Sequence, residues 1–244
     1  MDGERGCSDK GLSGTELKGM AMVFMLVDHI GAVILFYMGP YWAYLGCRMI
    51  GRLAFPMICF FLTEGFIHTR DRRNYCLRMA VFAVISEIPF DLAVRNRLSW
   101  DSQNVFFELL AGLIVLQGLR KAEGYFDMRR SVCRALALGG GCLVAWAIRA
   151  DYSYGGILLM STYYLLREQR LSRLLSGSVL AGIDSLNVTW GAGALSLVPL
   201  YFYNGSRGKG FGNGRGKYLF YWFYPVHLLI LFGVRRLFLG IPVM

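Results

Sequence analysis

The chain has 244 residues, 55% of them hydrophobic and 17% charged, with a mean hydropathy of +0.44. Soluble domains run nearer about 45–50% apolar and about 25% charged, so the composition excludes an ordinary water-soluble globule and points to a polytopic membrane protein. The net charge of +10 does not call for nucleic acid: sixteen of the 26 Lys and Arg residues fall in four blocks, Arg70 to Arg78, Arg120 to Arg134, Arg167 to Arg173 and Arg207 to Lys217, and basic blocks at alternate ends of apolar segments mark cytoplasmic loops.

A polar tail, residues 1–16, precedes the first apolar block, and residues 17–244 read as one transmembrane domain. Candidate spans follow at 17–38, 45–68, 75–94, 104–120, 131–149, 153–166, 174–188, 191–203 and 218–240. They predict an all-α helix bundle with about nine spans (eight to ten) and a cytoplasmic N-terminus, the orientation that puts all four basic blocks inside. The first block is long for a signal sequence and lacks a small-residue cleavage motif, so it reads as a retained span. The region 174–203 is the least regular, because Asp184, Asn187 and Gly191 interrupt two short spans. If it forms one tilted helix, the count falls to eight and the Arg207 to Lys217 loop faces outward.

The first span, LKGMAMVFMLVDHIGAVILFYM, carries Asp28 and His29 at its middle. Ionisable groups near a bilayer centre are costly and usually face a polar interior where they do work. Lys18 lies 11 positions before His29, almost three helical turns, so the two share a stripe with about 16 Å of rise between them. Asp28, adjacent in sequence, points roughly 100° away and makes a poor orienting partner for His29; a carboxylate from another helix is expected instead.

The second span runs inward and places Arg48 and Arg52 on one face of its outer half, with Pro56 expected to bend the helix. Glu87 and Asp91 end the third span at similar depth. Gln103, Asn104, Glu108, Asp151 and Tyr154 follow at outer connections. The matching depth predicts interhelical ion pairs of Arg48 and Arg52 with Glu87 and Asp91, around a hydrated cavity with His29 at its floor. His227 sits mid-span two residues after Pro225, and His68 ends the second span beside the basic block that starts at Arg70.

Cys7, Cys47, Cys59, Cys76, Cys133 and Cys142 show neither C-x-x-C nor zinc-type spacing, so no disulfide framework and no metal site are expected. The segment NGSRGKGFGNGRGK, 204–217, is a basic glycine-rich loop without the G-x-x-x-x-G-K-[ST] spacing of a P-loop.

Several stretches in order, LKGMAMVFMLVDHIGAV, RMIGRLAFPMICFFLTEGFIHTRDRRNYCLRM, ISEIPFDLA, QNVFFELLAGL, DYSYGGILLM and LFYWFYPVHLLIL, resemble the TraX family, the conjugative-pilin acetyltransferases. The first also resembles the opening helix of the wider membrane acyltransferase-3 group, in which an arginine precedes an essential histidine by eleven residues; Lys18 stands at that place here. The resemblance implies a bacterial inner-membrane, multi-pass enzyme. It would move an acetyl group from acetyl-CoA to an amine or hydroxyl of a pilin N-terminus, another peptide, a sugar or a small molecule. The candidate catalytic set is then His29, Asp28, Glu87, Asp91 and His227. Lys18, Arg48, Arg52, His68, Arg70, Arg215 and Lys217 are candidates for the CoA side, and Gln103, Asn104, Glu108, Asp151 and Tyr154 for the acceptor side. Expected partners are the lipid bilayer, acetyl-CoA and an unidentified acceptor. A neutral imidazole suits the removal of a proton from an attacking amine or hydroxyl. The alternative, from a different class, is a proton-coupled transporter using Asp28, His29 and His227 as a relay.

Overall fold

The computed structural model describes residues 11–208 and 216–240. Arg215 lies outside the described residues, as does the side chain of Lys217. Among the described residues the architecture is all-helical, with no strand. The helices are α1 (Gly14–Met38), α2 (Tyr41–Gly51), α3 (Ala54–His68), α4 (Arg72–Phe90), α5 (Val105–Ala122), α6 (Asp127–Ala147), α7 (Ser153–Leu165), α8 (Arg170–Thr189), α9 (Ala192–Tyr201) and α10 (Gly216–Leu239). Three helical stretches, Gly14–Met38, Tyr41–His68 and Tyr218–Leu239, are long and apolar enough to cross a membrane.

Helix α1 begins inside the segment expected to be a polar tail. Ser13 and Glu16 close a capping box there, with the Ser13 backbone N–H donating to Glu16 Oε2 at 2.7 Å, so two orphan donors of the first turn are satisfied. Between α2 and α3 the helix breaks at Arg52–Leu53, the bend expected of Pro56, which cannot donate to the Arg52 carbonyl.

The chain runs back and forth between two ends of the bundle. At the N-terminal end, Leu12 pairs with the chain leaving α9, through Leu12 N–H to Phe202 O at 2.8 Å and Asn204 N–H to Leu12 O at 3.0 Å. Arg170 of α8 donates to the carbonyls of Tyr201 and Tyr203 there, and Arg173 pairs with Glu64 of α3. At the opposite end, Gln103 N–H donates to Arg149 O at 3.3 Å. The disputed region 174–203 is therefore a hairpin: α8 turns at Trp190 and Gly191, both left-handed at φ 50° and 83°, and α9 returns along it. Gly193 makes the return possible, since a Cβ there would lie 2.5 Å from the Ala181 carbonyl. The return sets residues 202–207 beside residues 12–15.

The surface has the polarity of a lipid-facing protein. Leu171, Leu175, Val179, Ile183 and Leu186 form an exposed apolar stripe along α8, and Leu136, Leu143 and Trp146 do so on α6. Helix α5 is the inner post; its Leu109, Leu113, Leu116 and Leu119 are buried, between α4, α6 and α7. Exposed helical apolar faces with polar groups turned inward are the arrangement a bilayer requires.

Candidate functional site

The centre of the site is a pair of imidazoles. His29 of α1 and His227 of α10, 198 positions apart, meet with His29 Nδ1 2.7 Å from His227 Nε2. His227 Nδ1 in turn lies 2.6 Å from the Phe223 carbonyl oxygen one turn earlier. A carbonyl only accepts, so Nδ1 of His227 carries the proton. With both rings neutral the remaining roles follow: His227 Nε2 accepts from His29 Nδ1–H, and His29 Nε2 is left with a bare lone pair. His227 is 5% exposed and His29 is partly buried. Phe223 stacks on His227 with ring centroids 4.6 Å apart, and Tyr224 stands edge-on to both imidazoles at 5.8 Å. These contacts fix the ring orientations.

The expected carboxylate partner for His29 is thus replaced by a second histidine. The physical reason is local: parallel α1 and α10 pack so that the Lys18–His29 stripe faces α10. Lys18 Nζ lies 5.7 Å from the Phe220 ring centroid on α10 and 5.5 Å from that of Phe61 on α3, within cation–π range. Directly after His29 the helix widens into a π-turn, Gly31–Leu35. Such turns occur often at functional sites, and no feature of the apolar pattern announced this one.

Asp28 faces the other way, as the helical wheel requires, and forms an ion pair with Arg48. Two glycines allow α2 to come this close. A Cβ at Gly31 would lie 2.8 Å from Cys47 Cβ, and one at Gly51 would lie 2.2 Å from Asp28 Cβ. Small residues at helix crossings permit such approach within membranes. Arg52 donates to the Tyr152 hydroxyl at 3.1 Å. The Tyr152 ring stacks on Phe55 with centroids 3.5 Å apart, and its backbone N–H donates to Glu108 Oε2 at 2.8 Å. Glu108 is fully buried, and Gly156 is glycine because a Cβ would meet the Glu108 carboxyl at 2.0 Å. Asp184 of α8 takes the same position over Gly155 and, with Arg52, Tyr152 and Ser185, lines a small cavity.

The expected ion pairs of Arg48 and Arg52 with Glu87 and Asp91 do not form. Glu87 accepts from both the backbone and the side-chain amide of Asn104, which caps α5 and also donates to Ala83 O at 2.8 Å. Asp91 accepts from the Ser99 backbone N–H at 2.9 Å. It opens a second π-turn, Asp91–Arg95, two residues after Pro89. Buried Arg235 of α10 closes that turn by donating to Leu92 O, Ala93 O and Asn96 Oδ1. Each of the four groups is held by a partner other than the ones expected: Arg48 by Asp28, Arg52 by Tyr152, Glu87 by Asn104 and Asp91 by Ser99.

Of the other predicted residues, Gln103 contributes its backbone to the pairing with Arg149, and Asp151, Tyr154 and Arg70 are exposed. His68 is exposed and sits 3.6 Å from Glu64. Tyr152 and the two helix-crossing glycines, Gly31 and Gly51, are not among the predicted site residues, and Asp184 is expected only as a break in a span. DYSYGG holds two tyrosines beside paired glycines; Tyr152 is the one turned to Arg52, and Tyr154 is exposed. Among the described residues no group of three or more His, Cys, Asp or Glu side chains is placed to hold a metal ion.

Paired histidines thus lie inside an apolar helical bundle beside an ionic cluster, in a chain with three helical stretches long and apolar enough to cross a membrane. Residues 13–235 match the TraX protein family. The chain is also 31% identical over 235 residues to the probable fimbrial assembly protein FimC, serogroup H1, of Dichelobacter nodosus, covering 90% of this chain and 94% of that one. The chain belongs to the TraX family. No solved structure matches it.

Proposed function

We propose that this TraX-family protein is a membrane acetyltransferase that moves an acetyl group from acetyl-CoA to an amine or hydroxyl acceptor. It would sit in the bacterial inner membrane with nine spans and a cytoplasmic N-terminus. The observation that carries the reading is the ordered chain from the Phe223 carbonyl through His227 to His29, which with both rings neutral leaves His29 Nε2 without a proton. As the acceptor attacks the thioester carbonyl carbon, His29 Nε2 takes its proton, the C–S bond breaks and the thiolate leaves. The imidazolium formed keeps its Nδ1–H bond to His227, which holds the ring in place for the transfer. The proton then passes to the thiolate or to water. Lys18, on the same stripe toward the N-terminal end, would lie along the path of the donor. Membership of the wider acyltransferase-3 group belongs to the same proposal and rests on the Lys18–His29 spacing.

A radiolabelled acetyl-CoA assay with the purified protein and a panel of peptides, sugars and amines tests the reading. Label transfer to an acceptor in wild type and its loss in His29→Ala support it; no transfer to any acceptor, together with no CoA binding, removes it. For the proton-relay alternative, Asp28 would have to exchange protons with His29. The Asp28–Arg48 pair weighs against that role.

A further inference from the structure

At the N-terminal end, between α3, α8 and the chain leaving α9, lies a groove of about 390 Å³ lined by Phe60, Glu64, His68, Arg167, Arg170, Arg173 and Tyr203 among others. Arg173 sits at its inner wall and is only 7% exposed. One guanidinium nitrogen, Nη1, donates to Glu64 Oε1 at 2.6 Å. The plane lies over the Phe60 ring at 4.3 Å and near Tyr163 at 5.8 Å. The other two nitrogens, Nε and Nη2, are buried and have no hydrogen-bond partner.

That pattern is specific. Nε and Nη2 form one edge of the guanidinium, the fork that grips two oxygens of a phosphate or carboxylate side by side. The fork is held by an ion pair on its far corner and by an aromatic face, so it is pre-ordered. Buried donors left unsatisfied cost free energy, which an acceptor would recover. The neighbouring cations are already committed: Arg170 holds the Tyr201 and Tyr203 carbonyls, and Arg167 pairs with Glu123 at 2.9 Å and Glu168 at 3.4 Å. Arg170, whose partners are neutral carbonyls, supplies positive potential, while Arg173 supplies the donors without a partner. Glu64 and Glu168 oppose an anion, but Glu64 is already neutralised by Arg173.

We infer that this groove binds a phosphate or diphosphate group, gripped by the Nε–Nη2 edge of Arg173 and flanked by Arg170 and Arg167. The phosphate chemistry stands on the groove itself. Assigning it to the nucleotide end of the acetyl donor rests on the acetyl-transfer reading; the other source of the same chemistry is an anionic lipid headgroup. Lys18 lies beside the groove, since Phe61, under its ammonium, packs edge-on against Tyr203 at 5.5 Å. A donor held here would therefore have the Lys18–His29 stripe next to it.

The test uses the full-length protein in detergent, with R173K, which keeps the charge but loses the fork, and R170Q at the rim. Equilibrium dialysis with labelled CoA and with inorganic pyrophosphate measures affinity, native mass spectrometry counts bound phosphatidylglycerol, and melting temperature checks the fold. R173K should bind CoA and pyrophosphate at least tenfold more weakly than wild type, with R170Q less affected. If phosphatidylglycerol binding drops and CoA binding does not, the groove takes a lipid phosphate. Equal binding of CoA, pyrophosphate and lipid by wild type and folded R173K overturns the site. Acetyl transfer with an unaltered Michaelis constant in R173K also overturns the donor assignment while leaving the acetyl-transfer reading intact. Absence of transfer in wild type, with phosphate binding still dependent on Arg173, sinks that reading and spares the groove.

Discussion

Asp28 and His29 are neighbours in sequence and belong to opposite kinds of site. Asp28 turns to α2 and is tied to Arg48 beneath Gly51, in a cluster continued by Arg52, Tyr152 and Glu108. His29 turns to α10, where its hydrogen-bonding side-chain partner among the described residues is another histidine. The ionic side compensates charge with charge, which a low-dielectric interior demands. The neutral imidazole pair itself has no formal charge to compensate and can keep one nitrogen free. Roughly 100° of helix rotation thus separates a group held for stability from one held ready to react.

The sharpest way to break this contrast is His29→Ala. On the acetyl-transfer reading it should lower turnover by about 10²–10⁴-fold, the usual contribution of a general base. The melting temperature should stay near wild type because no ion pair is broken. Wild-type turnover in the purified variant would remove His29 from the chemistry. Arg48→Ala makes the opposite change. It strands Asp28 as an unpaired buried carboxylate, and breaking such a pair costs about 3–5 kcal/mol. Thermal unfolding in detergent should show a large drop, and the double variant Asp28→Asn with Arg48→Gln should recover much of it. No drop in the single variant would mean that the pair is not structural.

How much of this was legible beforehand depends on what each feature needs. The Lys18–His29 stripe needs only residue counting along one helix, and both side chains do face α10. The bend before Pro56 follows from a missing N–H. Residue 227 as the partner of His29 needed the packing of the first helix on the last, which no local pattern encodes. Charge signs and order along the spans do not say which helices touch: Arg48 and Arg52 meet Asp28 and Tyr152, while Glu87 and Asp91 are held by Asn104 and Ser99. The π-turn after His29 changes the hydrogen-bond register without changing the apolar pattern. The α8–α9 hairpin is expected in outline, as two short spans at 174–188 and 191–203, while the left-handed turn at Trp190 and Gly191 is seen only in the structure.

Gly51→Ala probes the boundary between the two sides. Its Cβ would overlap Asp28, so α2 must back away from α1. Overpacking of this kind costs about 1–3 kcal/mol. The expected result is a lowered melting temperature with a smaller loss of turnover than His29→Ala produces. An unchanged melting temperature would show that α1 and α2 are not in close contact at this crossing.

The finest test separates the two histidines from each other, and it reads the proton inventory rather than the fold. His227 accepts from His29 Nδ1–H through Nε2, so what His29 needs at that point is an acceptor. A glutamine can place its amide oxygen near the position of Nε2, whereas phenylalanine fills the space and offers nothing. His227→Phe should therefore leave His29 Nδ1–H buried without a partner and free the ring to take the other tautomer, in which Nε2 is protonated and useless as a base. His227→Gln should keep the tautomer and most of the rate. The two variants should differ in turnover by roughly tenfold to a hundredfold, the range seen when a partner that orients a functional histidine is lost. Their Michaelis constants for acetyl-CoA should stay similar, because neither change touches the groove around Arg173. Equal turnover in the two would show that His227 acts only by packing, and a greater loss in the glutamine variant would show that the hydrogen bond runs the other way.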